Sequence, residues 1–237
     1  MMMDIEGARD RELLRGEDDM RAVIASGSGR YADPWHPFDR TSPLLARVLE
    51  PAGFDVEIDD DVDHAMANLR GVDLVVVNAG DPWRSADSTG AAPRASTSGF
   101  ATALERGIGV LAVHSALSSL RDYPEWAPAI GGMWVPGLSW HPPADIADVT
   151  GGELPSGPTI EGFAVFDERY ARLQQFGERQ VVATHLVDGA VEPTAWVRQH
   201  GASRIAVDTL GHDEESYASA GHRALLARLA GWLTSPR

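Results

Sequence analysis

The stretch Ile108-Gly-Val-Leu-Ala-Val-His114-Ser115-Ala116 decides the fold. Ile108 to Val113 is a short apolar run without alternation. Such a run is expected of a parallel strand covered on both faces. It stops at a polar pair, followed by small residues able to start a helix. This is the layout of a nucleophile elbow, where a sharp turn presents one side chain above a sheet. Ala112 and Ala116 permit close backbone approach. His114 is expected at the exposed apex. Ser115 sits beside it at a helix N-terminus, where backbone N–H groups favour a developing oxyanion. The plainer alternative for His114 is a strand-end histidine hydrogen-bonded to backbone.

Working outward, Arg21–Ser26 and Val72–Val77 are further strand-length apolar runs, and Phe54–Ile58 alternates like a strand. Leu44, Leu45, Val48 and Leu49 share a helical face, with Thr41 or Ser42 expected as the cap before Pro43. Val62, Met66 and Leu69 share another, and a helix is expected over Thr97–Arg106. The first half therefore alternates strand and helix, the pattern of a doubly wound, mainly parallel sheet. Strands are also expected near Ile146–Val149, Phe163–Phe166, Val181–His185, Thr194–Gln199 and Ile205–Thr209. The last helix gathers Leu225, Leu226, Leu229, Trp232 and Leu233. Asp81 to Ser98 reads as a long loop. Residues 1–19 hold seven acids and three arginines and read as a polar leader, with residues 20–237 as one domain.

The 237 residues carry 35 acidic and 20 basic side chains, a formal net charge of −15. Such a surface repels phosphate backbones, so nucleic acid and anionic membranes are not expected partners. No apolar run is long enough for a membrane span. Absence of a signal-peptide pattern points to the cytoplasm. There is no cysteine and no lysine. That excludes a thiol nucleophile, a cysteine metal site, a Schiff base and a Walker A lysine. Histidine, carboxylates, hydroxyls and arginine remain.

In doubly wound sheets, ligands bind beyond the carboxyl ends of the strands. That rule selects Gly27-Ser28-Gly29, Asn78-Ala79-Gly80-Asp81, His114-Ser115, His185 and Gly211-His212. Ser26-Gly-Ser-Gly29 lacks the full phosphate-binding glycine spacing and reads as a tight turn. Trp134 to Pro143 brings aromatic faces next to His141, a combination suited to stacking on a sugar ring. Asp167-Glu168-Arg169-Tyr170 follows a strand. Its acids read either as a cap plus a solvated charge or as a histidine's partner in acid/base work. The eight histidines show no metal-ligand spacing, which leaves only a divalent-metal site assembled across loops. Trp35, Trp83, Trp134 and Trp140 and few arginines suit a neutral sugar better than an anion. Arg30 and Arg84 are expected exposed in loops.

Six segments in order resemble the ThuA-like (trehalose utilisation) family, over about Arg21 to Trp232. They are His36-Pro-Phe-Asp-Arg-Thr-Ser-Pro-Leu-Leu; Gly109 to Ala116; Trp126 to Trp134 with His141-Pro142; Gly157 to Phe163 with Asp167-Glu-Arg-Tyr170; Pro193-Thr-Ala-Trp196; and Gly201 to Arg204 with Leu210-Gly-His212. Gly157 stands where the family often has His. The resemblance implies a flavodoxin-like three-layer α/β sandwich of the class I glutamine amidotransferase-like type. In true amidotransferases the apex is cysteine. Here it is His114, so thioester chemistry on glutamine is excluded. The implied role is in carbohydrate metabolism, on trehalose or a related disaccharide, by hydrolysis or isomerisation. His114, Ser115, Glu168 and His212 are the catalytic candidates. His36, Asn78, Trp83, Trp140, His141 and Tyr170 are the substrate-binding candidates. No cofactor is evident, and a divalent metal and a homo-oligomer stay open. A non-catalytic sugar- or protein-binding domain and a metal-dependent hydrolase are the alternatives.

Overall fold

The computed structural model describes residues 20–84, 90–155 and 157–236; the leader at 1–19 lies outside them, as does part of the loop after Asp81. The strands are β1 Met20–Ser26, β2 Phe54–Asp59, β3 Leu74–Asn78, β4 Gly109–Val113, β5 Gly132–Met133, β6 Asp145–Gly151, β7 Phe163–Asp167, β8 Gln174–Gln175, β9 Gln180–Val187, β10 Ala190–His200 and β11 Ser203–Asp208. The helices are α1 Phe38–Leu49, α2 Val62–Ala67, α3 Arg94–Arg106, α4 Trp126–Ile130, α5 Glu214–Ala218 and α6 Ala220–Thr234.

Nine strands form one mixed sheet in the order β2-β1-β3-β4-β11-β10-β9-β6-β7. The expectation of a mainly parallel sheet holds for half of it. Pairings from β2 to β11 are parallel, with Val75 opposite Val110 and Ala112 opposite Val207. From β11 to β7 every pairing is antiparallel. The reason lies in the connections. The first four strands are joined by helices, which return the chain to the same edge. β9, β10 and β11 are joined by short turns, which can only reverse it.

Burial follows this division. β3 and β4 are buried at every residue, because helices cover both faces. Val23, Ala25, Val75, Val77, Val110 and Ala112 pack on one face with Met66 of α2 and Phe100 and Leu104 of α3. Ala22, Ile24, Leu74, Val76, Leu111 and Val113 pack on the other with Leu45 and Leu49 of α1 and Leu225, Leu226 and Leu229 of α6. The antiparallel strands expose one side, where Ile146, Leu186 and Val191 face solvent.

Two local expectations are corrected. α1 begins at Phe38, so Thr41 and Ser42 lie inside it instead of capping it, and Pro43 is an interior residue. Both hydroxyls serve tertiary contacts. Asn78 Nδ2 donates to Thr41 Oγ1 at 2.9 Å and to Ser42 Oγ at 3.0 Å, and Ser42 Oγ donates to Ser26 Oγ at 2.8 Å. α3 also starts earlier than expected, at Arg94, and shortens the preceding loop.

Candidate functional site

Strand β4 delivers His114 into a left-handed turn, with φ of 47°. A non-glycine residue held there costs on the order of 1–3 kcal/mol, so the surroundings must enforce it. The following helix is a single 3-10 turn, His114–Leu117. The expected exposed apex is corrected: His114 is 1% exposed. The rings of His36, Tyr170 and His212 pack over it, with centroids at 5.0, 4.4 and 5.4 Å. Its Nδ1 lies 2.7 Å from the Thr209 carbonyl, which can only accept, so Nδ1 carries a proton. Its Nε2 faces the Tyr170 hydroxyl at 3.0 Å and Glu168 Oε2 at 3.5 Å. The Ser115 hydroxyl donates to the Ala79 carbonyl at 3.1 Å.

Glu168 follows β7. Its neighbour Asp167 is 2% exposed, not the solvated charge that adjacent acids suggest. Asp167 accepts hydrogen bonds from the backbone N–H groups of Glu168 and Gly211, both at 2.7 Å, and from the Ser216 hydroxyl. One buried carboxylate thus fixes the Glu168 segment against the Gly211-His212 turn. Gly211 has φ of +116°, and a Cβ there would lie 2.8 Å from the Tyr217 hydroxyl and 2.9 Å from Val113 Cγ1. Only glycine fits, and it sets His212 beside Glu168.

The Glu168 carboxylate meets three histidines. Oε2 lies 3.5 Å from His114 Nε2 and 3.5 Å from His212 Nδ1, and Oε1 lies 3.5 Å from His141 Nδ1. Burial pushes the Glu168 carboxyl up, but the His114 hydrogen bond and the neighbouring imidazoles outweigh it and hold it below its ordinary value. Burial lowers His114, yet Glu168 and Asp167 raise it overall. His36 and His212 are both held below the usual histidine value, chiefly by burial and also by the charge on His114. Tyr170 is pushed well up by burial and by nearby carboxylates, so its phenol keeps its proton.

His36 enters from the loop before α1. Asp33 Oδ2 holds its Nδ1 at 2.7 Å, while Asp33 Oδ1 accepts from the backbone N–H groups of Trp35 and His36, both at 2.9 Å. Gly80 makes room for Asp33; a Cβ there would lie 2.6 Å from Asp33 Oδ2.

These groups border a cavity of about 390 Å³. Glu168, His36, His212 and His141 line it, with Ser115, Tyr170, Trp134 and Trp35. His114 lies beneath, against the other rings. Three proposed binding residues are elsewhere. Asn78 is buried under α1, Trp83 is 55% exposed and does not line the cavity, and Trp140, whose backbone pairs with Ala171, does not line it either. His185 supports the Tyr170 carbonyl at 2.9 Å from behind. Arg30 is not an exposed loop cation. It is clamped by Asp63 at 3.1 Å and by Asp122 at 2.7 Å. Sequence reasoning missed Asp33, although Asp-Pro-Trp-His carries a readable signal. An aspartate three residues before a histidine can accept from that turn's N–H groups.

An α/β chain with a histidine–carboxylate cavity at the carboxyl ends of its parallel strands defines the class. A protein-family profile described as ThuA, trehalose utilisation, matches residues 22–233, and the chain belongs to that family. A ThuA-like protein from Parabacteroides merdae superposes with a TM-score of 0.73 at 18% identity, over 92% of this chain and 90% of that one. A ThuA-like protein from Bacteroides uniformis gives 0.64 at 15% identity, over 92% and 93%. A β-galactosidase from Rahnella sp. R3 gives 0.56 at 16% identity, over 92% of this chain and 32% of the larger enzyme. No curated protein matches by sequence.

Proposed function

We propose that this chain is a cytoplasmic enzyme that binds a neutral carbohydrate in the cavity and transforms it by proton transfer, in a hydrolytic or isomerising reaction. The observation that carries the reading is Glu168, set 3.5 Å from each of three imidazoles on the floor of an aromatic-walled cavity. Closely coupled acids and bases of this kind titrate as a unit and supply both proton donors and acceptors. Trp35, Trp134 and Tyr170 offer faces for a sugar ring. The wall carries three carboxylates, Asp33, Asp81 and Glu168, against one guanidinium, Arg84, which disfavours a phosphate ester. Membership of a trehalose-utilisation family fits a disaccharide or its oxidised derivative. The β2-β1-β3-β4 order of the parallel strands, with apolar clusters on both faces, supports the flavodoxin-like sandwich class.

The test is a thermal-shift and calorimetric screen of the full chain against neutral disaccharides, their keto derivatives and sugar phosphates. A ligand bound only by the folded state raises the melting temperature. A neutral sugar should do so, and Trp134→Ala should weaken it about tenfold. Tighter binding of phosphate esters, falling steeply with salt, would overturn the proposal and point to Arg84.

A further inference from the structure

We propose that His36, His114, His212 and Glu168 form a binding site for one divalent transition-metal ion. The inference rests on reading the cavity as the place of chemistry and specifies what that place holds. One ligand atom from each residue lies within 4.8 Å of the others. Ligands bonded at 2.0–2.2 Å stand about 3.4 Å apart around a tetrahedral ion and about 4.2 Å apart across an octahedral one. Glu168 Oε2 already lies 3.5 Å from both His114 Nε2 and His212 Nδ1. The widest separation needs to close by about half an ångström or more.

The backs of the rings are arranged for metal binding. Asp33 holds Nδ1 of His36, so its Nε2 is free to ligate. His114 Nδ1 donates to the Thr209 carbonyl, so in the neutral ring the lone pair is on Nε2, the nitrogen that also faces the Tyr170 hydroxyl at 3.0 Å and that an ion would have to claim from it. A carboxylate or carbonyl behind a ligating imidazole fixes its tautomer and orientation. His212 Nδ1 is buried with no hydrogen-bond partner, facing Glu168. A buried polar atom left without a partner is costly, and a metal bond would satisfy it.

Three imidazoles and one carboxylate suit zinc, manganese, iron or cobalt better than magnesium or calcium, which prefer oxygen alone. The remaining coordination positions would open on the cavity. A sugar bearing adjacent oxygens, either a vicinal diol or a hydroxyketone, could occupy them. With Glu168, His114 and His212 engaged by the ion, proton transfer in the proposed reaction would fall to His141, which lies outside the ligand set, while Tyr170 keeps its proton.

The experiment uses the full chain, stripped with chelator and dialysed. It is titrated with Zn²⁺ by calorimetry and with Co²⁺ by visible absorption. One ion per chain is expected. Asp33→Asn, which keeps the turn but weakens the orienting bond, should reduce affinity about 10- to 100-fold. His212→Ala should reduce it at least 100-fold, with the circular dichroism of both stripped variants matching wild type. If the folded, stripped wild type binds neither ion, or if His212→Ala binds as tightly, the proposal fails. Sugar recognition by stripped protein, with no ion taken up, would refute the metal and leave the carbohydrate reading intact. One ion taken up with no sugar recognised would support the metal and refute that reading.

Discussion

Asp208 and His222 are both wholly buried, with His222 Nε2 2.9 Å from Asp208 Oδ2. The other nitrogen, Nδ1, faces the Ser216 carbonyl at 3.1 Å and the Ser216 hydroxyl at 3.0 Å. Serine, histidine and aspartate in line look like a catalytic triad. The Ser216 hydroxyl is spent on Asp167, however, and no substrate could reach it. The group is structural. A carbonyl and a carboxylate cannot donate, so both ring nitrogens are placed to donate, the arrangement that favours the imidazolium. Burial lowers the His222 pKa, but Asp208 outweighs it and raises it above the ordinary 6.5. A raised native-state value stabilises fully below about 6.5, and that stability is lost as the pH climbs through the native-state value. His222→Gln, which leaves Asp208 buried without a cation, should cost about 3–5 kcal/mol near pH 6. The deficit should shrink at alkaline pH. Guanidinium unfolding of both proteins from pH 5.5 to 9 measures it, and a constant deficit would count against a charged His222.

At the scale of elements, helix α6 closes one face of the sheet. Leu225, Leu226 and Leu229 are essentially inaccessible and pack toward β4. Their spacing gave this face from the sequence. Trp232, on the same helical face, packs partly buried against that cluster, and its indole N–H donates to the Pro155 carbonyl at 3.1 Å. Leu226→Ala removes a fully buried side chain and should lower stability by about 2–5 kcal/mol, read as a shift in the denaturant midpoint at unchanged slope. The turn at His114 after β4 was readable for a similar reason, but its exposed apex was not, because the rings of His36, Tyr170 and His212 cover it. A buried strand followed by His-Ser-Ala has few ways to continue. The α1 boundary was not readable, because Thr41 and Ser42 are good caps in isolation and only Asn78 and Ser26 give them other partners.

The whole molecule joins a parallel half to an antiparallel half through β11, which pairs with β4 on one side and β10 on the other. Trp196 of β10 belongs to the same apolar cluster as Phe100 of α3, and its indole donates to the Ile130 carbonyl at 2.9 Å. A core shared in this way should unfold as one unit. Far-UV circular dichroism and tryptophan fluorescence should therefore give coincident thermal transitions. Two separated transitions would show that the halves fold independently.

The sequence by itself determined the strands and helices of the first half. Their periodicity is set locally by which faces must leave water, and Val72–Val77 and Ile108–Val113 have no other way to be buried. It also fixed what the chemistry could not be, since a chain without cysteine or lysine holds neither thiolate nor Schiff base. Sequence position, though, could not bring residues 36, 114, 168 and 212 together. They come from four separate segments and show no ligand spacing. Only the tertiary structure decided that Glu168 faces three histidines, that Asp33 stands behind one of them, and that Asn78 and Trp140 do not reach the cavity. The physical reason is that a strand end fixes where a side chain starts. Which neighbours it meets depends on how distant loops cross the same sheet edge, and here the buried carboxylate of Asp167 and the turn at Gly211 set that crossing.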